Sequence, residues 1–436
     1  MPSRISLTTL FLFALVCVLP EAEAAARAGG GGTPPQAQQR QKATAQDYFR
    51  RALEEQRAGR FREAVTLYRL ALAAAPNDSN INHNMGLCFS ALGEYDTALS
   101  HFRLAVAADP NHHLAHWGMG TAYYATKRYA EALNSFGRST AIKPDYMSGR
   151  LGLADSHLAL GEYAAAAAEY DRALALDPSN GFAHRAAGIA RINLDRYGDA
   201  LVSLRRAAEL LPDDAYTQDL IANVQNELGH PEAAVAASLR AISLHPNDAT
   251  AVNSYVGLSW YYSFSGRHQA SLDAARRAAA LNPQEQMAFT NMCRALNDLG
   301  QHTEALSACR RALGLKPGDG ETLYYQGVAF DKLGQKQRAL DSFREAASAF
   351  ESAPATQTDF YYLRGNVYQQ LGRNAGAVES YRAALARRPN FAQALLNLGA
   401  VYAASGNVRE ATEQYNRLLR IDPARAEKLL GVIRRR

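Results

Sequence analysis

The sequence has little of what would commit it to a membrane or to a disulfide framework. Beyond its first twenty residues, no apolar run approaches the roughly 20 residues that cross a bilayer. Cysteine occurs four times and tryptophan twice in 436 residues, which is too few cysteines for a disulfide-rich scaffold. The rest of the composition, with 47% hydrophobic and 20% charged residues, is typical of a chain that folds in water. We therefore expect no integral membrane span in the mature chain.

Signatures of catalysis and of cofactor binding are also missing. The sequence contains no GxSxG elbow, no GxxxxGK[ST] loop, no HExxH pair and no CxxC pair. The best metal candidate is NHHLAH, in which His112 and His116 could share a helical face. A zinc site needs three or four protein ligands, and no suitable third group lies nearby in the sequence. We predict no catalytic, cofactor-binding or metal residue, and a protein that is not an enzyme.

The charge pattern gives no sign of nucleic-acid binding. The net charge of +5 is spread along the chain in mixed-sign neighbours such as Arg62 and Glu63. A basic stripe, which would form the electrostatic footprint of a nucleic acid, does not stand out. We expect no nucleic-acid partner.

The N-terminus has the layout of a cleavable secretory signal. It combines one cation, Arg4, an apolar run over residues 5–19, and small residues at Ala22 and Ala24. These features predict a signal peptide in residues 1–24 and export to the periplasm, the secretory pathway or the outside of the cell. An uncleaved anchor is the alternative interpretation.

The segment that follows is rich in glycine, glutamine and proline. Residues 25–44 contain almost nothing apolar to bury, so we predict a flexible linker. Removal of the signal would leave Cys88, Cys293 and Cys309. Cys293 and Cys309 fall in one predicted helix pair and could form a bridge, but small buried thiols are the favoured interpretation.

Proline recurs at a fixed interval along most of the chain. Six prolines lie 34 residues apart, and the next four follow at steps of 37, 34, 72 and 34 residues. An interval of this length predicts stacked supersecondary repeats rather than separate globular domains. The prolines are Pro76, Pro110, Pro144, Pro178, Pro212, Pro246, Pro283, Pro317, Pro389 and Pro423.

Other residue types recur in the same register. LGEYDTALSHFRLAVAADP at 92–110 aligns with LGEYAAAAAEYDRALALDP at 160–178. Small residues such as Gly86 and Ala98 would let two antiparallel helices approach closely. A glycine between them, such as Gly93, can take the positive φ that ends the first helix, and the proline ends the second. Each repeat therefore predicts a helical hairpin.

This pattern resembles the tetratricopeptide repeat family, whose repeat is 34 residues long. The resemblance covers residues 45 to about 425 in eleven repeats. It implies an all-α fold, a right-handed superhelical α-solenoid of tandem hairpins in which neighbours bury each other's apolar faces. A place in a repeat is counted below from its first residue, and the repeats begin at Ala45, Ser79, His113, Met147, Gly181, Ala215, Val252, Gln286, Gly320, Thr358 and Ala392.

The array departs from this pattern in three places. The repeat at Ala215 has Pro231 and Ser238 where large residues are usual, so its hairpin should pack less well. Three extra residues precede the repeat at Val252, and the repeat at Gly320 lacks its last proline. The predicted organisation is repeats 1–6 in residues 45–246, an irregular joint at 247–251, repeats 7–9 in 252–350, a longer link at 351–357, repeats 10–11 in 358–423 and a capping helix at 424–436.

The predicted capping helix would cover the last hairpin. Leu429, Leu430, Val432 and Ile433 are expected on one apolar face of ARAEKLLGVIRRR, because an open solenoid end exposes apolar surface. The terminal arginines suit the negative end of a helix dipole.

The resemblance also implies which residues meet a partner. In this family the first helix of each hairpin lines the concave groove, with its second, fifth, ninth, twelfth and thirteenth residues pointing inward. Aromatic rings at such places give contact area at low entropic cost, and carboxamides can bond to an extended backbone or to sugars. Each aromatic could instead pack into the next repeat. The candidate groove residues are Trp117, Tyr124, Arg185, Asn223, Trp260, Phe264, Arg294, Tyr324, Tyr362 and Asn366.

The sequence thus favours a non-enzymatic scaffold or adaptor that binds extended segments of partner proteins. Assembly of an envelope, export or secretion complex is the setting that an exported repeat protein would suit by family analogy. The carboxylate clamp that some members use to bind chaperone tails is not expected, because no three successive repeats supply its lysines and asparagines. The alternative is a glycan-binding accessory in which Trp260, Tyr324, Tyr362 and Asn366 contact sugars.

Overall fold

The computed structural model describes residues 36–246, 250–353 and 358–435, so the predicted signal peptide lies outside the described residues. Within these ranges the chain forms helices joined by short turns, with no strand. This confirms the predicted all-α fold. The helices are α1 (Gln36–Arg57), α2 (Phe61–Ala74), α3 (Ser79–Ala91), α4 (Tyr95–Ala108), α5 (His113–Ala125), α6 (Tyr129–Ile142), α7 (Met147–Ala159), α8 (Tyr163–Leu176), α9 (Gly181–Asn193), α10 (Tyr197–Leu210), α11 (Ala215–Glu227), α12 (Pro231–Leu244), α13 (Ala251–Phe264), α14 (His268–Leu281), α15 (Gln286–Asp298), α16 (His302–Leu315), α17 (Gly320–Lys332), α18 (Lys336–Ser352), α19 (Thr358–Gln370), α20 (Asn374–Arg387), α21 (Ala392–Ala404), α22 (Val408–Ile421) and α23 (Pro423–Arg434).

The described residues fall into two compact units, 36–194 and 195–435, called here the N-terminal unit and the C-terminal unit. The division lies in the turn between α9 and α10, inside the fifth predicted hairpin. The joints expected from the sequence, at 247–251 and 351–357, include residues 247–249 and 354–357, which lie outside the described residues. This fifth repeat departs from the pattern at two places. Asp195, and not a glycine, adopts the positive φ of 57°, and Leu204 stands where other repeats have an aromatic residue at place 24.

Within each unit the first helices of successive hairpins contact one another. In the N-terminal unit α3 contacts α5, α5 contacts α7 and α7 contacts α9. In the C-terminal unit each odd-numbered helix from α11 to α19 contacts the next odd-numbered helix, up to α21. These contacts place the first helices on the inner face of each unit, as the family resemblance implies.

Helix α1 starts earlier than the sequence predicts. It begins at Gln36, within residues 25–44 that we expected to be a linker. The stretch after Pro35 contains glutamine, alanine, lysine and arginine but no glycine or further proline, and these residues have high helix propensity. The linker prediction, which rested on low hydrophobicity, was therefore wrong for residues 36–44.

The two helices of a hairpin pack through one recurring contact. A small residue at place eight, in the first helix, contacts a large side chain at place 24, in the second helix. A Cβ built on Gly86 would lie 2.5 Å from the Phe102 ring, and one built on Gly118 in the next hairpin would also lie 2.5 Å from it. Phe102 is fully buried. The same contact joins Gly120 to Phe136, so one aromatic ring fills the space that glycine leaves in each of these hairpins.

We expect Gly86→Ala to destabilise the N-terminal unit by about 1–3 kcal/mol, because the added methyl overlaps the Phe102 ring. Gly137 is the matched control: it lies in α6 and has no atom within 4 Å of a built Cβ. Gly137→Ala should be neutral or stabilise by up to about 1 kcal/mol through helix propensity. Urea unfolding of both variants measures the difference, and equal effects would contradict this packing.

The eighth repeat replaces the glycine–aromatic contact with a disulfide. Cys293 at place eight and Cys309 at place 24 are bonded, with their Cα atoms 5.3 Å apart. The prediction of two free buried thiols was therefore wrong. The separation of 16 residues equals that of Gly86 and Phe102, so the register of the repeat already placed the two sulfurs face to face.

The remaining described cysteine is not bonded. Cys88 is free and buried in α3, and burial raises the pKa of its thiol to about 12. A neutral, enclosed thiol is a poor nucleophile.

Reduction of the Cys293–Cys309 disulfide should destabilise the C-terminal unit by about 3 kcal/mol, because the bridge restricts a loop of this length in the unfolded chain. The measurement is urea unfolding with and without reductant, followed by Trp260 fluorescence in a Trp117→Phe background. A Cys293→Ala, Cys309→Ala double variant is the control and should not respond to reductant. An unchanged wild-type midpoint on reduction would show that the bond does not stabilise this unit.

The C-terminal helix α23 covers the last hairpin, as predicted. Leu429 is fully buried, and its side chain lies 2.5 Å from a Cβ built on Gly399 in α21. Ile433 packs on the same core. Val432 is 37% exposed, so it lies outside the buried part of the apolar face expected from the sequence.

Candidate functional site

The N-terminal unit holds three of the predicted groove residues. Trp117 in α5 is half-buried, and its ring meets Tyr146, the residue before α7, edge to face at 6.1 Å. Tyr124, also half-buried, meets Tyr129 of its own hairpin at 5.1 Å. Trp117 therefore packs partly against the last residue of its own repeat, in the turn that leads to the next one.

Arg185, the third, lies beside an aromatic ring that sequence reasoning missed. Its guanidinium carbon is 5.2 Å from the centre of the Phe182 ring, close enough for a cation–π contact. Phe182 is 58% exposed, the highest value among the exposed aromatic side chains described. The signal was present, since Phe182 occupies place two, one of the inward places of the family.

One acidic group on this inner face titrates near neutrality. Burial raises the pKa of Asp155 in α7 to about 6, although the Tyr170 hydroxyl donates a hydrogen bond that lowers it. Asp155 occupies place nine, so part of the inner face can change charge in the physiological range.

In the C-terminal unit the predicted residues contact one another. The guanidinium carbon of Arg294 lies 4.1 Å from the centre of the Trp260 ring, and both side chains are buried. Trp260 in turn meets Phe264 at 5.0 Å. Arg294 also acts on Asp298: burial raises the pKa of that carboxyl, and the arginine opposes the rise.

A second cluster forms around Asn366. Its Oδ1 accepts hydrogen bonds from the Tyr381 hydroxyl at 2.8 Å and from Asn397 Nδ2 at 2.9 Å. Asn397 Nδ2 also lies 3.5 Å from the Tyr362 hydroxyl. Tyr324 packs on Phe343 of its own hairpin, and Asn223 lies half-buried in α11. The Asn366 carboxamide oxygen is thus engaged within the fold.

These clusters weaken the glycan-binding alternative. It depended on Trp260, Tyr324, Tyr362 and Asn366 being available to stack on or bond to sugars. Trp260 and Asn366 are buried, and Tyr362 packs on Tyr381 and Phe391. No observation on these four residues favours a sugar ligand.

Repeats that are not neighbours meet across the inner face of the C-terminal unit. The Phe264 ring, at the end of α13, lies 5.8 Å from Phe391 and 6.5 Å from Tyr362. Gln393 Nε2 donates to the Phe264 carbonyl oxygen at 3.4 Å. The turn between α20 and α21 therefore reaches the seventh repeat.

A buried ion cluster accompanies this contact. Arg388 Nη2 lies 3.2 Å from Glu227 Oε1 and 3.7 Å from Asp359 Oδ1, and all three side chains are less than a tenth exposed. The Thr358 hydroxyl donates to Glu227 Oε2 at 2.8 Å. Burial raises the pKa of Glu227, and Arg388 opposes that rise.

Only part of this cluster could be predicted from the sequence. Glu227 and Asp359 occupy places thirteen and two, which face the groove in this family. Arg388 and Phe391 occupy places 31 and 34, in the turn after the second helix. A rule that reads only the first helices misses them, because it has no information on contacts between distant repeats.

Asp219 on α11 makes the stability of the C-terminal unit depend on pH. Burial raises the pKa of Asp219 to about 7, although Ser254 Oγ donates a hydrogen bond to Asp219 Oδ2 at 2.8 Å and lowers it. The folded chain binds this proton more tightly than the unfolded chain. The contribution to stability is therefore full below about pH 4 and is lost as the pH rises through about 7.

Asp219→Asn should remove this dependence, since asparagine is neutral at every pH and can still accept from Ser254. Between pH 4 and pH 7, the free energy of unfolding of the variant should rise relative to wild type by up to about 1.4 kcal/mol per pH unit. Urea unfolding at several pH values gives the two profiles. Parallel profiles would show that Asp219 titrates as an ordinary carboxyl.

The histidines of NHHLAH take part in helix and turn contacts. His112 Nδ1 accepts from the Ala115 amide at 3.1 Å, and its Nε2 lies 3.2 Å from Asn80 Oδ1. His116 Nε2 lies 3.1 Å from the Pro110 carbonyl oxygen. In the described ranges, no three histidine, cysteine or acidic side chains are grouped as metal ligands.

None of the helices in the described part of the chain combines the length and the hydropathy of a membrane-spanning segment.

Models of the tetratricopeptide repeat match the chain at residues 77–145, 123–192, 256–320, 294–354 and 362–426. Curated protein sequences give no significant match. Yeast Tom70 is 12% identical, with 89% of this chain and 94% of that chain covered and a TM-score of 0.42. Pseudomonas aeruginosa PilF is 18% identical over 48% of this chain and 96% of its own, at a TM-score of 0.43. YrrB, described as a repeat protein with an unusual peptide-binding site, is 20% identical over 43% and 96%, at a TM-score of 0.40.

Proposed function

Because the chain belongs to the tetratricopeptide repeat family, we propose that it is a non-enzymatic scaffold that binds protein segments on the inner face of its N-terminal unit. Such repeats present extended inner surfaces suited to peptide partners. The observation that carries the proposal is the exposed Phe182 ring beside the Arg185 guanidinium. Aromatic and arginine side chains are the residue types that most often dominate binding energy.

The two units differ in what their inner faces offer. In the C-terminal unit Trp260, Arg294 and Asn366 are buried against other side chains. In the N-terminal unit Phe182 leaves more than half of its surface open, and a partner that covers it would remove apolar area from water. Arg185 is itself buried and forms the floor beside the ring, so an extended segment with an apolar side chain for Phe182 has the matching chemistry.

We place this scaffold in an exported compartment, the periplasm or the secretory pathway. The signal-like residues 1–24 support export, and the Cys293–Cys309 disulfide supports an oxidising environment. Assembly of an envelope, export or secretion complex is the role that we propose for a scaffold in this setting.

The test is affinity capture from the host with quantitative mass spectrometry, comparing the wild-type chain with Phe182→Ala. Loss of one exposed aromatic anchor should reduce recovery of the specific partners by roughly tenfold. The matched control is Leu104→Ala, since Leu104 is 53% exposed but lies on the second helix α4. Recovery that is equal for both variants and wild type would remove Phe182 from the binding site and overturn the proposal.

A further inference from the structure

The C-terminal unit makes contacts that a simple solenoid would not make. In a repeat array each hairpin normally touches its neighbours alone. Here Thr358 bonds to Glu227 across 131 residues and Gln393 bonds to Phe264 across 129 residues. Arg387 pairs with Asp195 across 192 residues, at 3.1 Å. The tenth and eleventh repeats thus close onto the fifth to seventh.

One short piece of chain provides most of this closure. It is the α20–α21 turn, defined as residues 387–391, with sequence RRPNF. Arg387 pairs with Asp195, and Arg388 pairs with Glu227 and Asp359. The Phe391 ring contacts the rings of Phe264 and Tyr362. The centre of that ring is 4.9 Å from the centre of the Tyr362 ring.

The surface under this turn is the groove itself. Glu227 and Phe264 are both at place thirteen of their first helices, and Tyr362 is at place five. These are inward places in the family. The chain therefore occupies its own groove with Arg388 and Phe391, in the manner of a bound peptide. Arg387 pairs with Asp195 outside the inward places, in the turn between α9 and α10.

The charges on this surface determine which kind of peptide segment can bind there. Asp195, Glu227 and Asp359 face the turn, and their cationic partners on it are Arg387 and Arg388. With the turn withdrawn, this surface would hold three carboxylates beside exposed Phe264 and Tyr362 rings. Water would solvate these carboxylates once the turn has left, and the surface would then present negative charge beside aromatic rings. A segment that carries a cation and an aromatic side chain has the complementary chemistry.

We propose that the α20–α21 turn is an internal ligand of the C-terminal groove, and that a partner segment bearing an arginine followed three residues later by an aromatic residue displaces it. The proposal rests on the scaffold function proposed above but concerns the other unit. It gives the protein a second docking surface that is closed until a basic-aromatic segment competes for Glu227, Asp359 and Phe264.

The test uses a labelled peptide of residues 385–393, LARRPNFAQ, and the full-length chain. In wild type the tethered turn competes with the peptide, which raises the apparent Kd by the inverse of the open fraction. Arg388→Gln with Phe391→Ser should open the groove and tighten peptide binding at least tenfold, as measured by fluorescence anisotropy. A peptide with alanine in place of the second arginine and the phenylalanine is the control and should not bind.

A third substitution locates the binding surface. Glu227→Gln, added to the open variant, should weaken peptide binding by tenfold or more, because the guanidinium then loses a charged acceptor. If circular dichroism shows that the open variant is unfolded, Arg387→Gln replaces it. That variant loses the partly exposed pair with Asp195 and the contact with the Tyr361 ring but keeps Arg388 and Phe391, and binding should tighten about threefold.

Equal peptide affinity for wild type and the folded open variant would overturn the proposal. So would tight peptide binding that Glu227→Gln does not weaken. These outcomes are independent of the N-terminal groove. Partner recovery that depends on Phe182 tests the scaffold function, whereas peptide affinity that depends on Arg388 tests this closure, so either can fail alone.

Discussion

The contact on which the rest of this structure depends is the one between places eight and 24 of a hairpin. Two helices can approach closely where Gly86 presents no side chain, and Phe102 then fills the gap and reaches Gly118 of the next hairpin. One ring thus joins two helices within a repeat and one repeat to another. Where the pair changes to Cys293 and Cys309, a covalent bond takes over the same contact. The place is structural whatever side chains occupy it.

This packing frees the inward places for other chemistry, and the two units use them differently. In the N-terminal unit Phe182 stays open beside Arg185, and exposed apolar surface of this kind is available to a partner. In the C-terminal unit Phe264 is covered by Phe391, and Glu227 is neutralised by Arg388. The same repeat motif therefore supports an open inner face and a self-occupied one within a single chain.

The buried charges of the C-terminal unit explain why its closure is specific. A guanidinium moved out of water costs several kcal/mol unless it is paired with good geometry. Arg388 has two carboxylates within 4 Å, those of Glu227 and Asp359. Glu227 belongs to the first helix α11 and Asp359 to the first helix α19. An apolar contact alone, such as that between Phe264 and Phe391, would tolerate many arrangements. The ion cluster permits few arrangements, because a shift of the turn within the closed state would leave Arg388, Glu227 or Asp359 buried without an oppositely charged partner.

The sequence by itself determined the helical hairpins, their order and the capping role of Leu429, because these follow from local periodicity, from the prolines and from small residues at fixed places. It also contained the signal for the disulfide, in the shared register of Cys293 with Gly86 and of Cys309 with Phe102. Tertiary structure alone decided which inward side chains remain available. Trp260, Arg294 and Asn366 share place nine with half-buried residues such as Asn223, and they are buried against side chains of their own and neighbouring repeats. A repeat pattern specifies contacts between neighbours and carries no information on distant ones, so the position of Arg388 against Glu227 became visible only in the folded chain.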